Sequence, residues 1–503
     1  MRFCYTIIMM KKIILSITTL FIVLSCAGCC VNHEYGEWVI SKEVTCISEG
    51  EETRFCVKCG KQEKRVIPID EENLNHQYKL IEEIEGTDRG SFKCELCGKE
   101  EEMELRHQDL GLPIMRIDGD FSLLTADKNS ETMKFSYDDT RIGKIEGYVS
   151  IKLQGQSSIR HPKKNYTIKM YEDEELENKL KVNLIDSVGK QSKYCLKANW
   201  IDYSESRNVV SGQIYNQIVH SRDLDDEVSK LDNGGVVDGY PICLYENGEF
   251  WGIYTLNIPK DDFMFGMDED DPDAPGTVKQ AVLSGNSWNG YSKLYYPIKG
   301  ELSEDGDIQI EYLSTEDTIG SAWAKDSFNN MVKFINSHSG QSFKDGISDY
   351  VNVERTIDAL IYTYVISATD NLAKNINWAT YDGTHWMASM YDMDGTWGLY
   401  WNGGQYGYDQ MIAPQEETLN LLYRKIYANY KEEINQRYEE LREDVLSDEN
   451  IEKMFTDFYN KIPQTMWEKE KAKWPNVPSN NFDNLKQIIN YSKNHLALMD
   501  RYY

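Results

Sequence analysis

The chain has 503 residues, with 54 basic against 83 acidic side chains and a formal charge of −29. That length admits two or more domains, one of them large. The charge repels phosphate backbones and argues against nucleic acid as a partner, although a local cationic pocket with a divalent cation can still take a nucleotide.

The N-terminus reads as a targeting segment. Lys11 and Lys12 precede the apolar run Ile13 to Leu24, too short to span a bilayer but the length of a signal-peptide core. Met10 gives this segment a cleaner start than Met1. Leu24-Ser25-Cys26-Ala27-Gly28-Cys29 resembles a bacterial lipobox, with Cys26 or Cys29 as the lipidated residue. Residues 1–29 are then a leader, and the protein is extracellular, anchored to the bacterial membrane through lipid alone, or simply secreted.

Eight of the eleven cysteines fall within residues 26–97. Residues 31–109 read as a small Cys-rich β module built from a tandem repeat. Cys56-Val-Lys-Cys59-Gly-Lys and Cys94-Glu-Leu-Cys97-Gly-Lys are copies of one knuckle, and His33-Glu-Tyr35 and His76-Gln-Tyr78 are copies of its opening. Two thiolates on such a turn can grip a tetrahedral Zn²⁺. One workable assignment gives Cys46, Cys56, Cys59 and His76 to one ion, and Cys94, Cys97, His107 and His33 to another. Which histidine serves which knuckle stays open, and disulfides are the rival in an oxidising compartment. The module resembles short zinc-ribbon-like repeats of bacterial surface proteins.

Leu110 to Pro113 is the expected hinge into a large region, 113–503. Met115–Asp120, Met133–Tyr137 and Gly147–Gln154 alternate as strands. A turn, Gly155-Gln-Ser157-Ser158, follows, offering backbone N–H groups and hydroxyls to a phosphate. On the next strand, period-2 alternation puts Lys164 with Tyr166 and Ile168, and Lys163 with Asn165, Thr167 and Lys169. Since Ile168 points into a core, Lys164 is the favoured phosphate lysine; Lys169 is the other candidate. Tyr194–Trp200 reads as a buried strand. Arg207-Asn208 opens a helix through His220, where Arg207 could clamp a phosphate or salt-bridge Asp202. Tyr240–Tyr254 is an Asn247-Gly248 hairpin, and Met267–Pro275 an acidic loop. Trp288–Asp317 reads as a rim insertion. Ala322–His338, Val353–Ala368, Leu419–Leu446, Asn450–Lys461 and Phe482–Tyr502 have helical periodicity.

Asp370 to Gly398 organises the rest. Asp370 is followed five residues later by Asn375, then by two alternating runs joined at Asp382-Gly383, then by Asp392 and Asp394. Phosphoryl transfer needs a carboxylate near the acceptor hydroxyl and oxygen ligands for Mg²⁺. Protein kinases place an Asp and an Asn at this spacing, then a hairpin, then a metal-binding Asp.

On these residues the chain resembles the CotH kinase family, over roughly residues 113–503. The shared features are Asp370, Asn375 and the Tyr391-Asp392-Met-Asp394 cluster, the Gly-x-Ser-Ser turn with Pro162-Lys163-Lys164, Arg207-Asn208, and the Asn-Gly hairpin. Gln154 stands where Arg is more usual, and the run Leu256-Asn257-Ile258-Pro259-Lys260 stands where a Glu commonly follows the hairpin's end. The resemblance implies an α+β, atypical protein-kinase-like fold, with a mixed or antiparallel N-lobe sheet and a mainly helical C-lobe. It also implies ATP with Mg²⁺ or Mn²⁺ as cofactors. Asp370 would orient or deprotonate the acceptor, and Asn375 and Asp392 would bind metal, supported by Asp394. Gly155, Ser157, Ser158, Lys164, Lys169 and Arg207 would hold phosphates.

The expected activity is transfer to a Ser/Thr or Tyr of a surface or secreted protein. The alternative is a surface adhesion or coat-assembly protein that keeps the fold without transferring. A carbohydrate-active enzyme using Asp370 and Asp392 as its acid/base pair is a third reading. The sequence gives no oligomeric state.

Overall fold

The computed structural model describes residues 32–70, 74–127, 129–267, 279–303, 306–314, 322–411 and 420–503. The leader, with Cys26 and Cys29, and most of the acidic loop from Asp268 lie outside the described residues. No described helix is long and apolar enough to cross a membrane. The chain forms two compact units, divided between Leu105 and Arg106.

The first unit consists of two three-stranded antiparallel sheets. One is β1 (Val39–Lys42), β2 (Gly50–Phe55) and β3 (Gln62–Ile67); the other is β4 (Tyr78–Glu83), β5 (Arg89–Cys94) and β6 (Glu100–Glu104). These strands are polar and mostly solvated. Burial concentrates at the knuckles, where Cys56 and Cys94 are covered, and at Phe92.

The second unit opens with a closed seven-stranded barrel, where the resemblance implied the mixed or antiparallel N-lobe sheet of a kinase-like fold. Its strands are β7 (Ile114–Asp118), β8 (Glu131–Asp139), β9 (Gly143–Gln154), β10 (Asn165–Tyr171), β11 (Lys193–Lys197), β12 (Gly239–Glu246) and β13 (Glu249–Asn257). They run in the order β10-β11-β13-β12-β7-β8-β9, closed by the antiparallel β9–β10 pair, with β7 parallel to β12. Alternation explains the closure. Met133, Phe135 and Tyr137 on β8, and Tyr166, Ile168 and Met170 on β10, all point inward and are buried.

A second sheet shares a cleft with the barrel: β14 (Ala281–Gly285), β15 (Ile308–Leu313), β16 (Ile376–Thr380) and β17 (Met387–Met390), in the order β15-β14-β16-β17. The segment read as a rim insertion therefore contributes a strand, β15, whose Glu311 lines the cleft.

Among the described residues, the helices longer than one turn are α1 (Arg207–His220), α2 (Ala322–Ser337), α3 (Val353–Val365), α4 (Leu421–Asn429), α5 (Lys431–Glu443), α6 (Asp448–Tyr459), α7 (Gln464–Lys473) and α8 (Asn484–Met499). The single helix expected over Leu419–Leu446 breaks at Tyr430, whose backbone leaves the helical region at φ −125°, ψ 34°. Helix α7, which follows Pro463, was not expected; its charged sequence conceals an apolar stripe of Met466 and Trp467, both buried. Helix α3 is buried all round, and its Asp358 accepts from Arg222 and Arg437 at 2.8 Å each, tying α3 to α5 and to the end of α1. The content is mixed α+β.

Candidate active site

The hairpin of β16 and β17 carries the candidate residues at one end. Asp370 sits on a short 3-10 turn, Asn375 just before β16, and Asp392 just after β17. Asn375 (φ 58°) and Asp392 (φ 57°) both adopt the left-handed conformation, which costs a non-glycine residue energy and persists only where surroundings enforce it. The enforcement is visible. The buried Asn371 amide donates to the carbonyls of Asn375 (2.9 Å) and Tyr391 (3.0 Å), and Tyr391 N–H donates to Asn375 O (3.1 Å). From the other side, Asn208 Oδ1 accepts from Met393 N–H at 2.9 Å, between the two aspartates. Asn371 and Asn208 thus act as positioning residues.

These acids face a cleft of about 430 Å³ whose opposite wall is the barrel. It is lined by Asp370, Asn375, Asp392 and Asp394, by the turn Gly155–Ser158, and by Lys152, Lys163, Lys193, Lys197, Lys260 and Lys374. Gly155 (φ 99°) must be glycine, because a Cβ there would lie 1.9 Å from Ser158 Oγ. Lys197 Nζ donates to Asp392 at 3.1 Å, while the Asp392 side chain keeps 38% of its surface exposed. Lys260 pairs with Glu311 at 2.7 Å, and Lys193 with Asp261 at 2.5 Å.

The cleft sorts its carboxyls electrostatically. Burial raises Asp370, assisted by the Asp392 charge and opposed by Lys374. Burial also works against charge on Asp392, but Lys197 and then Lys260 and Lys374 overcome it and hold this group below its ordinary value. Asp394, desolvated and beside Asp392, is pushed well up. Two hard-oxygen acids that oppose each other's ionisation form an arrangement a divalent cation relieves. Asp392 and Asp394, with Asn375, are the residues that could hold such a cation, with waters or phosphate oxygens completing its shell.

Three candidate phosphate ligands are not in this cleft lining. Lys164 turns back to donate to Ile159 O at 2.7 Å. The face shared with Ile168 is the barrel interior, so the cleft belongs to the opposite parity, with Asn165 and Thr167. Lys169 shares that parity but sits further along β10, beside Lys193, outside the lining. Arg207 is fully buried, paired with Asp202 and donating to Thr396 O (3.1 Å), Gln487 (2.5 Å) and Asn484 (3.2 Å), so it joins α1 to α8.

Lys163, passed over in favour of its neighbour, is buried between two acids. It donates to Glu470 at 2.8 Å, to Glu205 at 3.1 Å and to Ile253 O at 2.5 Å. Burial alone would lower it, but Glu205 and Glu470 hold it raised. Gly252 makes room for this cluster: a Cβ there would approach Glu470, Lys163 and Trp474 at 2.9–3.0 Å.

A family model for CotH kinase protein matches residues 151–499, well over half of the chain. The chain belongs to this family. A search of curated proteins finds no match. The CotH match spans the turn at Gly155, helix α1 and Asp370 to Asp394, and excludes the Cys-rich unit.

Sequence reasoning missed Lys197, Lys260, Lys374 and Asn371. Lys374 and Asn371 lay in plain view between Asp370 and Asn375. Lys197 was legible too, since it has the opposite parity to Tyr194 and Leu196, which fill the barrel. Lys260 was marked only as the end of the run that replaces a usual Glu, not as a cleft cation.

In the first unit the structure sorts the donors differently from the assignment above. Cys46, His76, Cys94 and Cys97 form one cluster, and His33, Cys56 and Cys59 another, with donor atoms within 4.8 Å of one another in each. His76 and His33 exchange places because each histidine-bearing segment runs beside its own knuckle, and Cys46 moves from Cys56 and Cys59 to Cys94 and Cys97. His107 belongs to the second unit, where its Nδ1 accepts from Thr140 N–H at 3.0 Å. The described cysteines form no disulfide.

Proposed function

We propose that this CotH-family protein is an atypical protein kinase, transferring phosphate from ATP to a Ser/Thr or Tyr of a surface or secreted protein. The observation that carries the reading is the convergence of Asp370, Asn375, Asp392 and Asp394 with Lys197, Lys260 and Lys374 on one cleft. In a chain of charge −29, such a cationic wall facing acids is what a metal–triphosphate requires.

Asn375, Asp392 and Asp394 would hold Mg²⁺ (or Mn²⁺), which when bound supplies charge neutralisation at the phosphates. Lys197 keeps Asp392 ionised and oriented, and has donors to spare for a phosphate oxygen. The Gly155–Ser158 turn offers N–H groups and hydroxyls to the same anion. Asp370, raised by its surroundings, would receive or orient the acceptor's proton. The barrel and the second sheet with its helices would serve as the two lobes of a kinase-like cleft. The Cys-rich unit would hold zinc, its soft thiolate and imidazole donors suiting that ion. The leader reading supports an extracellular, lipid-anchored or secreted location.

The test is Mg²⁺-dependent phosphate incorporation from γ-labelled ATP into the protein itself and into candidate surface proteins, with nucleotide binding measured in parallel. Wild type should incorporate label, and Asp370→Ala and Asp392→Ala should not. ATP binding with no transfer to any acceptor would instead favour the adhesion or coat-assembly role.

A further inference from the structure

The two Cys-x-x-Cys knuckles are copies down to their hydrogen bonds. The first cysteine's N–H reaches the carbonyl of the lysine beyond it, Cys56 to Lys61 at 2.9 Å and Cys94 to Lys99 at 2.8 Å. The glycine returns to the first cysteine, Gly60 at 2.8 Å and Gly98 at 2.9 Å. The histidine-bearing segment is stitched alongside, Val57 N–H to Glu34 O at 2.8 Å and Glu95 N–H to Gln77 O at 2.9 Å. Each histidine therefore arrives at the same place: His33 Nδ1 lies 3.3 Å from Cys59 Sγ, and His76 Nδ1 lies 3.4 Å from Cys97 Sγ.

The fourth donor is what differs. Cys46, on the turn between β1 and β2, lies 3.6 Å from Cys94 and so serves the second repeat's knuckle, not its own. The matching turn between β4 and β5, Ile84–Asp88, contains no cysteine or histidine. Among the described residues, no turn brings a fourth donor to the first knuckle. Zinc bonds of about 2.3 Å to sulfur and 2.0–2.1 Å to nitrogen give tetrahedral edges of roughly 3.8 Å (S–S) and about 3.6 Å (S–N). The distances in both clusters lie close to those edges, so both are spaced for one ion.

We infer that the unit holds two zinc ions of unequal affinity: a tighter one at the four donors Cys46, His76, Cys94 and Cys97, and a weaker one at His33, Cys56 and Cys59, the three donors that the described residues bring to the first knuckle. Three protein donors leave a coordination position that an added thiol or imidazole can enter. This inference rests on the zinc reading of the unit.

The full chain is loaded with Zn²⁺ or Co²⁺ and titrated with a competing chelator. Two ions per chain are expected, one released on the order of 100-fold more readily, the share one ligand contributes to a four-ligand site. His33→Ala should abolish the weak ion alone, and Cys46→Ser should weaken the tight ion alone. Imidazole or β-mercaptoethanol should shift the Co²⁺ absorption of the weak site only, and which of them shifts it more identifies the preferred donor. Equal affinities, Cys46→Ser acting on both ions, or a three-thiolate spectrum at the weak site before any thiol is added would overturn the inference. Absence of any bound metal would overturn the zinc reading beneath it.

Discussion

Lys163 and Lys197 line the same cleft wall and both donate to carboxylates, yet their surroundings differ in kind. Lys163 spends its three donors on Glu205, Glu470 and Ile253 O. Glu470 in turn accepts Ile253 N–H at 2.6 Å, and Glu205 accepts the Asn199 amide at 2.6 Å. All three charged side chains are 1–2% exposed. Lys197 makes one ion pair, to an aspartate that remains open to the cleft. A buried charge with its hydrogen-bonding capacity exhausted serves the fold; one with capacity left over, facing a cavity, can serve a ligand.

Substitutions should separate these two roles. The largest effect is expected at the open cluster: Asp392→Ala or Asp370→Ala should cut Mg²⁺-dependent transfer by on the order of 10³-fold, with the melting temperature nearly unchanged in Asp370→Ala. Retained transfer in either variant would remove the kinase reading. Lys163→Met should instead destabilise the fold by about 3–5 kcal/mol, because it strands Glu205 and Glu470 in the interior, whereas Lys197→Met should mainly weaken nucleotide binding. Equal melting temperatures for those two variants would erase the distinction.

The pH dependence sharpens the contrast. Asp370 is raised, so the acidic limb of the transfer rate should lie above the ordinary aspartate value of 3.8. Asp394 is also raised, and a carboxyl raised in the folded state favours folding below its unfolded pKa and loses that contribution as pH rises through the folded value. At neutral pH it therefore opposes folding. Asp394→Asn should raise the metal-free melting temperature by roughly 1–3 °C and diminish the further rise caused by Mg²⁺. The smallest effect belongs to Lys164→Ala, which removes a bond to Ile159 O and should leave transfer within about twofold and stability within about 1 kcal/mol.

Linear spacing alone set out the acidic cluster, the glycine turn, the knuckles and most helices, because each is a local device: an Asp-Gly turn, a Gly at positive φ, a 3.6-residue stripe. Parity along β10 was equally legible, but not which parity meets solvent. Only closure of the barrel decides that, turning Ile168 inward and leaving Asn165 and Thr167 toward the cleft. The same holds for Arg207, whose partners on α8 lie some 280 residues away, and for Glu470, on a helix hidden by its own charges. Cys46 completes a site in the following repeat, which no spacing rule within one repeat could assign. Residue type fixes what a side chain can do, while its spare capacity depends on neighbours that only long-range packing supplies.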